Sequence, residues 1–388
     1  MRTRTLALQA LGVIGLTAGL AFGQTTAPPA PPAPAPDPFK SLTFNVTFEG
    51  YYEYNWNRPA NRVNVLRAYD TRANTFGIQQ AALAIESAPD RTENRPFGLR
   101  LDLQFGQATS TVQGSPVNEP RPEVYQNVWQ AYGSYVFPGT HAVRMDFGKF
   151  ASSLGFETNY AKDNFNFSRA YLFNFLPFYH SGLRVTAPIS DKVTLGYMLT
   201  NGVQETEEFN EFKSNQFMAV VTPVKNVSWT INYYAGQEQP DGGAPGGPNG
   251  WFRVFDTYVA YAPTDGVSFA FDVNRTTNQL LSGDPVTALV GTGVYARYQA
   301  SAADALAVRY EYLDDGGLFG GVAQDLQEVT LTYERKLGED FLARGEFRRD
   351  WSNTAFFPGP AVTDPLRTSQ NTALVGFVWW VGGKKGAW

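Results

Sequence analysis

Leu42-Thr43-Phe44-Asn45-Val46-Thr47-Phe48-Glu49-Gly50-Tyr51-Tyr52-Glu53 is the stretch whose reading decides the fold. Successive side chains of an extended segment point to opposite sides. Leu42, Phe44, Val46, Phe48 and Tyr52 therefore share one face, and Thr43, Asn45, Thr47, Glu49 and Glu53 share the other. The pattern recurs along the chain in segments of about ten residues, with almost no helical period between them. Leu99, Leu101, Leu103 and Phe105 alternate with Arg100, Asp102 and Gln104; Val267, Phe269, Phe271 and Val273 alternate with Ser268, Asp272 and Asn274.

The connections sort into two classes that take turns. Phe137-Pro138-Gly139-Thr140, Pro188-Ile189-Ser190-Asp191, Thr222-Pro223-Val224-Lys225, Ala262-Pro263-Thr264-Asp265, Ser301-Ala302-Ala303-Asp304 and Lys336-Leu337-Gly338-Glu339 have tight-turn compositions. Between them lie long polar or Gly-rich stretches at 54–72, 108–124, 237–250, 275–288, 314–323 and 351–370. This spacing predicts about sixteen strands in an all-β, transmembrane, up-and-down antiparallel β-barrel, with short periplasmic turns and long extracellular loops. Both termini fall on the short-turn side. The final amphipathic segment carries Ala373, Val375, Phe377, Trp379 and Val381 on one face, and the chain closes on the aromatic Trp388, like the C-terminal signal of outer-membrane barrels. A soluble β-sandwich shares the two-residue period, but not the regular alternation of short and long connections.

The ends and the composition agree with export. Arg2 and Arg4 precede an apolar run over residues 6–22, and Ala21-Phe22-Gly23 supplies small residues before Gln24. Residues 1–23 therefore read as a signal peptide. Residues 24–40 form a Pro/Ala-rich periplasmic linker of polyproline II character, and residues 41–388 are the barrel. The absence of Cys excludes a lipidated N-terminus and disulfides. Charged residues make up only 17% of the chain and net charge is −5, so nucleic acid is not an expected partner.

Chemistry is sparse. Only His141 and His180 are present, too few with no Cys for a zinc site built from several His or Cys ligands. Neither a Gly-x-Ser-x-Gly elbow nor a His-Glu-x-x-His pair occurs. Gly291-Thr292-Gly293 lies in a strand pattern with no following helix, and the Gly-rich run at 242–250 lacks a phosphate loop's Gly-Lys-Ser/Thr ending. His180 reads as an interfacial ring. No enzyme, metal or cofactor is expected.

Gly148-Lys149-Phe150, Leu154-Gly155-Phe156-Glu157, Asn164-Phe165-Asn166-Phe167-Ser168-Arg169, Pro177-Phe178-Tyr179-His180-Ser181-Gly182-Leu183-Arg184 and Thr200-Asn201-Gly202 carry a family resemblance. Together they resemble the β-barrel porin-2 family of Gram-negative outer membranes. The resemblance implies a channel, names no solute and carries over no catalytic residue.

The polar face then lines a water-filled channel for small hydrophilic solutes and ions. The expected lining is Arg100, Asp102, Arg144, Asp146, Arg184, Asp272, Arg297, Arg309, Glu311, Glu328, Arg344, Glu346 and Arg348. Their mixed sign predicts weak ion selectivity. Leu101, Phe269, Phe271, Leu331, Phe377 and Trp379 are expected to face lipid, with Tyr132, Tyr261, Tyr333 and Phe341 near the interfaces. Residues 151–178 are the third long loop, the one that general porins fold inward. Phe156, Tyr160, Phe165, Phe167, Tyr171, Phe173, Phe175 and Phe178 are too many large apolar groups for a solvated loop. An inward fold would present Glu157, Lys162, Asp163, Asn164, Asn166 and Arg169 at a constriction; an external cap or a latch between copies would bury the same rings. Outer-membrane lipid, the solutes, a homotrimer and a periplasmic contact through the Pro-rich linker are the candidate partners. A sugar-specific channel, with Tyr side chains as a sliding track, and a structural or adhesive barrel are the alternative readings.

Overall fold

The computed structural model describes residues 41–113, 119, 121–139, 141–240, 249–384 and 387; the expected signal peptide at 1–23, the expected Pro-rich linker at 24–40 and Trp388 lie outside them. Sixteen strands run in chain order: β1 (Thr43–Asn55), β2 (Thr75–Ser87), β3 (Phe97–Phe105), β4 (Val128–Val136), β5 (Arg144–Ala151), β6 (Tyr179–Ser190), β7 (Val193–Thr200), β8 (Ser214–Val221), β9 (Val227–Gly236), β10 (Phe252–Thr264), β11 (Val267–Asn278), β12 (Thr287–Gln299), β13 (Asp304–Gly316), β14 (Ala323–Lys336), β15 (Phe341–Ser352) and β16 (Ser369–Gly382). Each pairs antiparallel with its neighbours in sequence, and β1 pairs with β16 from Asn45↔Gly382 to Asn55↔Thr372. Closure removes every sheet edge, the condition for crossing a bilayer with strands.

The polarity of this barrel is inverted. Phe44, Phe269, Phe271, Leu331 and Phe377 on the outer face are 44–55% exposed, whereas Glu49, Glu53, Asp256, Arg309, Glu311 and Glu328 on the inner face are fully buried. An apolar exterior around a charged interior is stable only in an apolar surrounding. The short turns, such as Asp191-Lys192 and Asp265-Gly266, all gather at one end. At the other end the ladder outlasts the apolar band: Arg275–Asn278, Thr287–Ala288 and Asp314–Gly316, expected in loops, remain paired.

Two side chains depart from expectation. Tyr132 faces inward, opposite Arg100, with the guanidinium groups of Arg144 and Arg184 over its ring at 6.0 and 5.4 Å. The outward positions beside it are Ala131 and Gly133, too small to mark an outer face in the sequence. His180 is buried rather than interfacial. Its Nδ1 meets the Gly202 carbonyl and its Nε2 the Ser152 hydroxyl, each at 3.2 Å, and its ring stacks on Tyr234. It ties the start of β6 to the loops on either side.

Candidate channel and constriction

The loop between β5 and β6, residues 152–178, turns into the barrel and packs on its inner wall. Backbone amides drive the arrangement, because a loop that leaves water must still satisfy its N–H and C=O groups. Gly155 N donates to Asp256 and Phe156 N to Asp272, both at 3.0 Å. Ala161 N donates to Glu49 at 2.8 Å. Phe167 N and Ser168 N share the Glu346 carboxylate, and Tyr171 N and Leu172 N share that of Glu311. The loop carbonyls meet guanidinium groups. Arg344 donates to the carbonyls of Ala161, Asn164 and Asn166, Arg348 to that of Arg169, and Arg309 to that of Ser168.

The wall is also shaped for the loop. A Cβ at Gly376 would stand 2.5 Å from the Phe167 ring, and one at Gly291 would stand 2.5 Å from Leu172 Cδ2. The glycines of Gly291-Thr292-Gly293 therefore make room: the first for Leu172, and the second for the Tyr295 ring, 3.0 Å from where its Cβ would be. Phe156 packs on Phe165, Tyr258 and Tyr295, with ring centroids 4.9–6.2 Å apart.

Every expected wall residue lies on the inner face, in two groups. Asp272, Arg309, Glu311, Arg344, Glu346 and Arg348 bind the inward loop directly; Asp102 accepts from the loop's Tyr160 hydroxyl at 3.2 Å, and Glu328 pairs with Arg309 at 2.7 Å. Arg100, Arg144, Asp146, Arg184 and Arg297 meet other wall residues nearer the short-turn end. The loop residues depart further from expectation. Arg169 turns back to the carbonyls of Asn159 and Phe167, both at 2.6 Å, and is fully buried. Asn164 closes on Thr158, Asn166 donates to Thr332, and Glu157 pairs with Arg309 at 2.7 Å. These side chains fasten the loop: Arg169 and Asn164 donate to its own carbonyls, and Asn166 and Glu157 tie it to the wall. Lys162 and Asp163 pair at 2.8 Å near the tip. A cavity of about 190 Å³ remains between the two limbs of the loop and the wall, lined by Trp129, Gln130, Phe156, Asn159, Tyr160 and Tyr258 among others.

Several wall residues escaped the sequence reading. Glu49 and Asp256 follow the same inward alternation and were legible in it. Arg67 and Asp70, in the loop after β1, were not: they pair at 2.6 Å, and Arg67 reaches Asp350 at 2.7 Å. Glu334, Glu86 and Lys384 lie close to strand ends, where alternation is short.

Outside the membrane-spanning strands, Glu205 in the loop after β7 is buried beside Gly202 and Glu238. Burial first, and then the carboxylates of Glu238, Glu208 and Glu119, push its pKa up to about 10. A carboxyl raised in the folded state favours folding while it is protonated. That contribution is complete below the ordinary carboxylate pKa and fades as pH rises toward 10. Deuterium exchange of residues 201–206, corrected for intrinsic rates, is therefore expected to quicken between pH 6 and 9, and Glu205→Gln to flatten the dependence. Identical pH profiles for the two proteins would contradict this assignment.

The profile of the β-barrel porin-2, OmpL-like family matches residues 41–379. No curated protein sequence matches the chain. Among solved structures, the barrel is similar to an anion-selective porin from Comamonas acidovorans, at TM-score 0.57 and 10% identity, covering 88% of this chain and 99% of that one. It is similar to the outer membrane channel DcaP of Acinetobacter baumannii, at TM-score 0.57 and 8% identity over 87% and 97%. It also resembles the trimer form of OmpT, an outer membrane protein of Vibrio cholerae, at TM-score 0.56 and 13% identity over 88% and 99%. Identities this low carry the fold alone. With a closed sixteen-strand barrel, an apolar exterior and a family match over nearly all of it, the chain belongs to the β-barrel porin-2, OmpL-like family of outer-membrane porins.

Proposed function

We propose that this barrel is a water-filled channel for passive diffusion of small hydrophilic solutes and ions across the outer membrane, narrowed by the loop at residues 152–178. The observation that carries the reading is that loop, held on a charged inner wall inside a barrel of sixteen strands. Barrels of this strand number leave an aqueous lumen unless something fills it. Of the expected lining, Arg144, Arg184 and Arg297 face the open lumen in this reading, Arg100, Asp102 and Asp146 stand buried beside them on the wall, and Asp272, Arg309, Glu311, Glu328, Arg344, Glu346 and Arg348 are buried under the loop, which sets the channel's width. Deleting residues 159–169 is expected to raise single-channel conductance in planar bilayers by about twofold or more, because resistance concentrates where a pore is narrowest. Absence of conductance steps from the folded protein would refute the channel. Unchanged conductance in the deletion, with altered oligomer bands, would refute the constriction.

A sugar-selective channel is the second reading, favoured by the aromatic and amide side chains around the 190 Å³ cavity. Tight, saturable block by one oligosaccharide would promote it. A homotrimer suits the exposed Phe76, Phe97 and Phe147 on the outer face of β2, β3 and β5. Residues 1–23 are assigned as a leader removed on export and 24–40 as a periplasmic spacer, so the mature N-terminus is expected at Gln24 in N-terminal sequencing.

A further inference from the structure

The inner-wall charges are near balance by type, but not by exposure. On β5 and β6 the Asp146 carboxylate is shared by two guanidinium groups, Arg144 Nε at 2.7 Å and Arg184 Nη2 at 2.7 Å, and it also accepts from Ser134 at 2.6 Å. Its side chain is 3% exposed, whereas those of Arg144 and Arg184 are 31% and 18% exposed. The rings of Tyr132 and Phe150 support the two guanidinium planes. On β12, β14 and β15 a second carboxylate is shared by two arginines, with a different order of exposure: Arg297 at 23%, Glu334 at 12% and Arg344 at 2%. Glu334 is shared by Arg297 at 2.8 Å and Arg344 at 2.7 Å, and Arg297 is the most exposed of the three. Each cluster holds two cations on one carboxylate and keeps net positive charge. The neighbouring Asp102, Arg100, Glu86 and Lys384 form a chain of two carboxylates and two cations that balances in charge.

The placement of the two clusters matters as much as their charge. In a closed barrel of sixteen strands, β5–β6 and β12–β15 lie on opposite sides. Both clusters sit close to the short-turn strand ends, and Arg344 also holds the loop tip through the Ala161 carbonyl. A solute that passes the loop toward the periplasm therefore crosses between Arg144 and Arg184 on one side and Arg297 on the other, each more exposed than the carboxylate it pairs with. Fixed charges on low-dielectric walls concentrate counter-ions, and guanidinium groups stay charged at any physiological pH.

We propose that the channel is anion-selective, with Arg144–Asp146–Arg184 and Arg297–Glu334–Arg344 as the facing groups that favour small carboxylate or phosphate solutes over cations. The assignment rests on the channel reading above and names its substrate class. The test is the reversal potential of the full-length protein in planar bilayers under a KCl gradient. The wild type is expected to pass chloride over potassium by about threefold or more. Arg144→Gln with Arg297→Gln leaves one arginine on each carboxylate, so the fold keeps its ion pairs while the ratio drops to near one. Arg144→Glu with Arg297→Glu is expected to invert it. A wild-type ratio at or below one, or a double Gln variant that keeps the wild-type ratio, overturns this proposal and leaves the channel standing. Absence of conductance in every variant overturns both.

Discussion

Replacing Arg309 with Met is expected to destabilise the folded barrel by about 3–5 kcal/mol, the usual cost of removing one partner from a buried charge network. Arg309 is fully buried and serves two elements at once. It pairs with Glu328 of β14 at 2.7 Å, and with Glu157 and the Ser168 carbonyl of the inward loop, both at 2.7 Å. The Met side chain fills comparable volume but leaves Glu157 and Glu328 buried without this cation. Arg348 lies 3.4 Å from Glu328 and offsets part of the loss there; Glu157 keeps the Ala170 amide, at 2.7 Å, but no longer a guanidinium group. Urea titration of the protein refolded into lipid vesicles would measure the change, read by the heat-dependent shift in gel mobility. A midpoint equal to wild type would show that the network contributes little net stability. A raised single-channel conductance at mild urea, before global unfolding, would show the loop leaving first.

Phe271→Arg is expected to cost about 2–4 kcal/mol in the same assay, because an arginine near the bilayer midplane must be drawn out of hydrocarbon. Phe271 is 49% exposed on the outer face, and its cross-strand neighbours are the apolar Val259 and Val294. Phe269 lies two residues nearer the short-turn rim, stacked with Tyr261 at 6.5 Å between ring centroids. Phe269→Arg should cost less, since its guanidinium reaches the interface along that aromatic rim. Equal tolerance of both substitutions would place the membrane elsewhere on the barrel.

The sequence alone determined the number of strands, their order and the inner or outer assignment of almost every side chain, and the reason is physical. A strand that separates lipid from water must alternate with period two, and a chain that runs up and down must alternate its connections. Leu42 to Glu53 contains both faces of β1, and the turn compositions set where each hairpin closes. Where alternation carried no contrast the reading failed: Ala131 and Gly133 present nothing large outward, so Tyr132 was assigned to the wrong side. The aromatic content of residues 151–178 showed that this loop is buried without showing where, since an external cap hides the same rings. Only the tertiary structure decided that, because the deciding partners are distant in sequence: Glu49 for Ala161, Glu346 for Phe167, and Gly376 as the space the Phe167 ring needs. It also decided that Asp146 stands behind Arg144 and Arg184, and that Glu334 stands behind Arg297 while Arg344 is buried against the loop. A sequence lists charges with equal weight, whereas exposure, which depends on how the barrel closes and what fills it, determines which of them a passing ion meets.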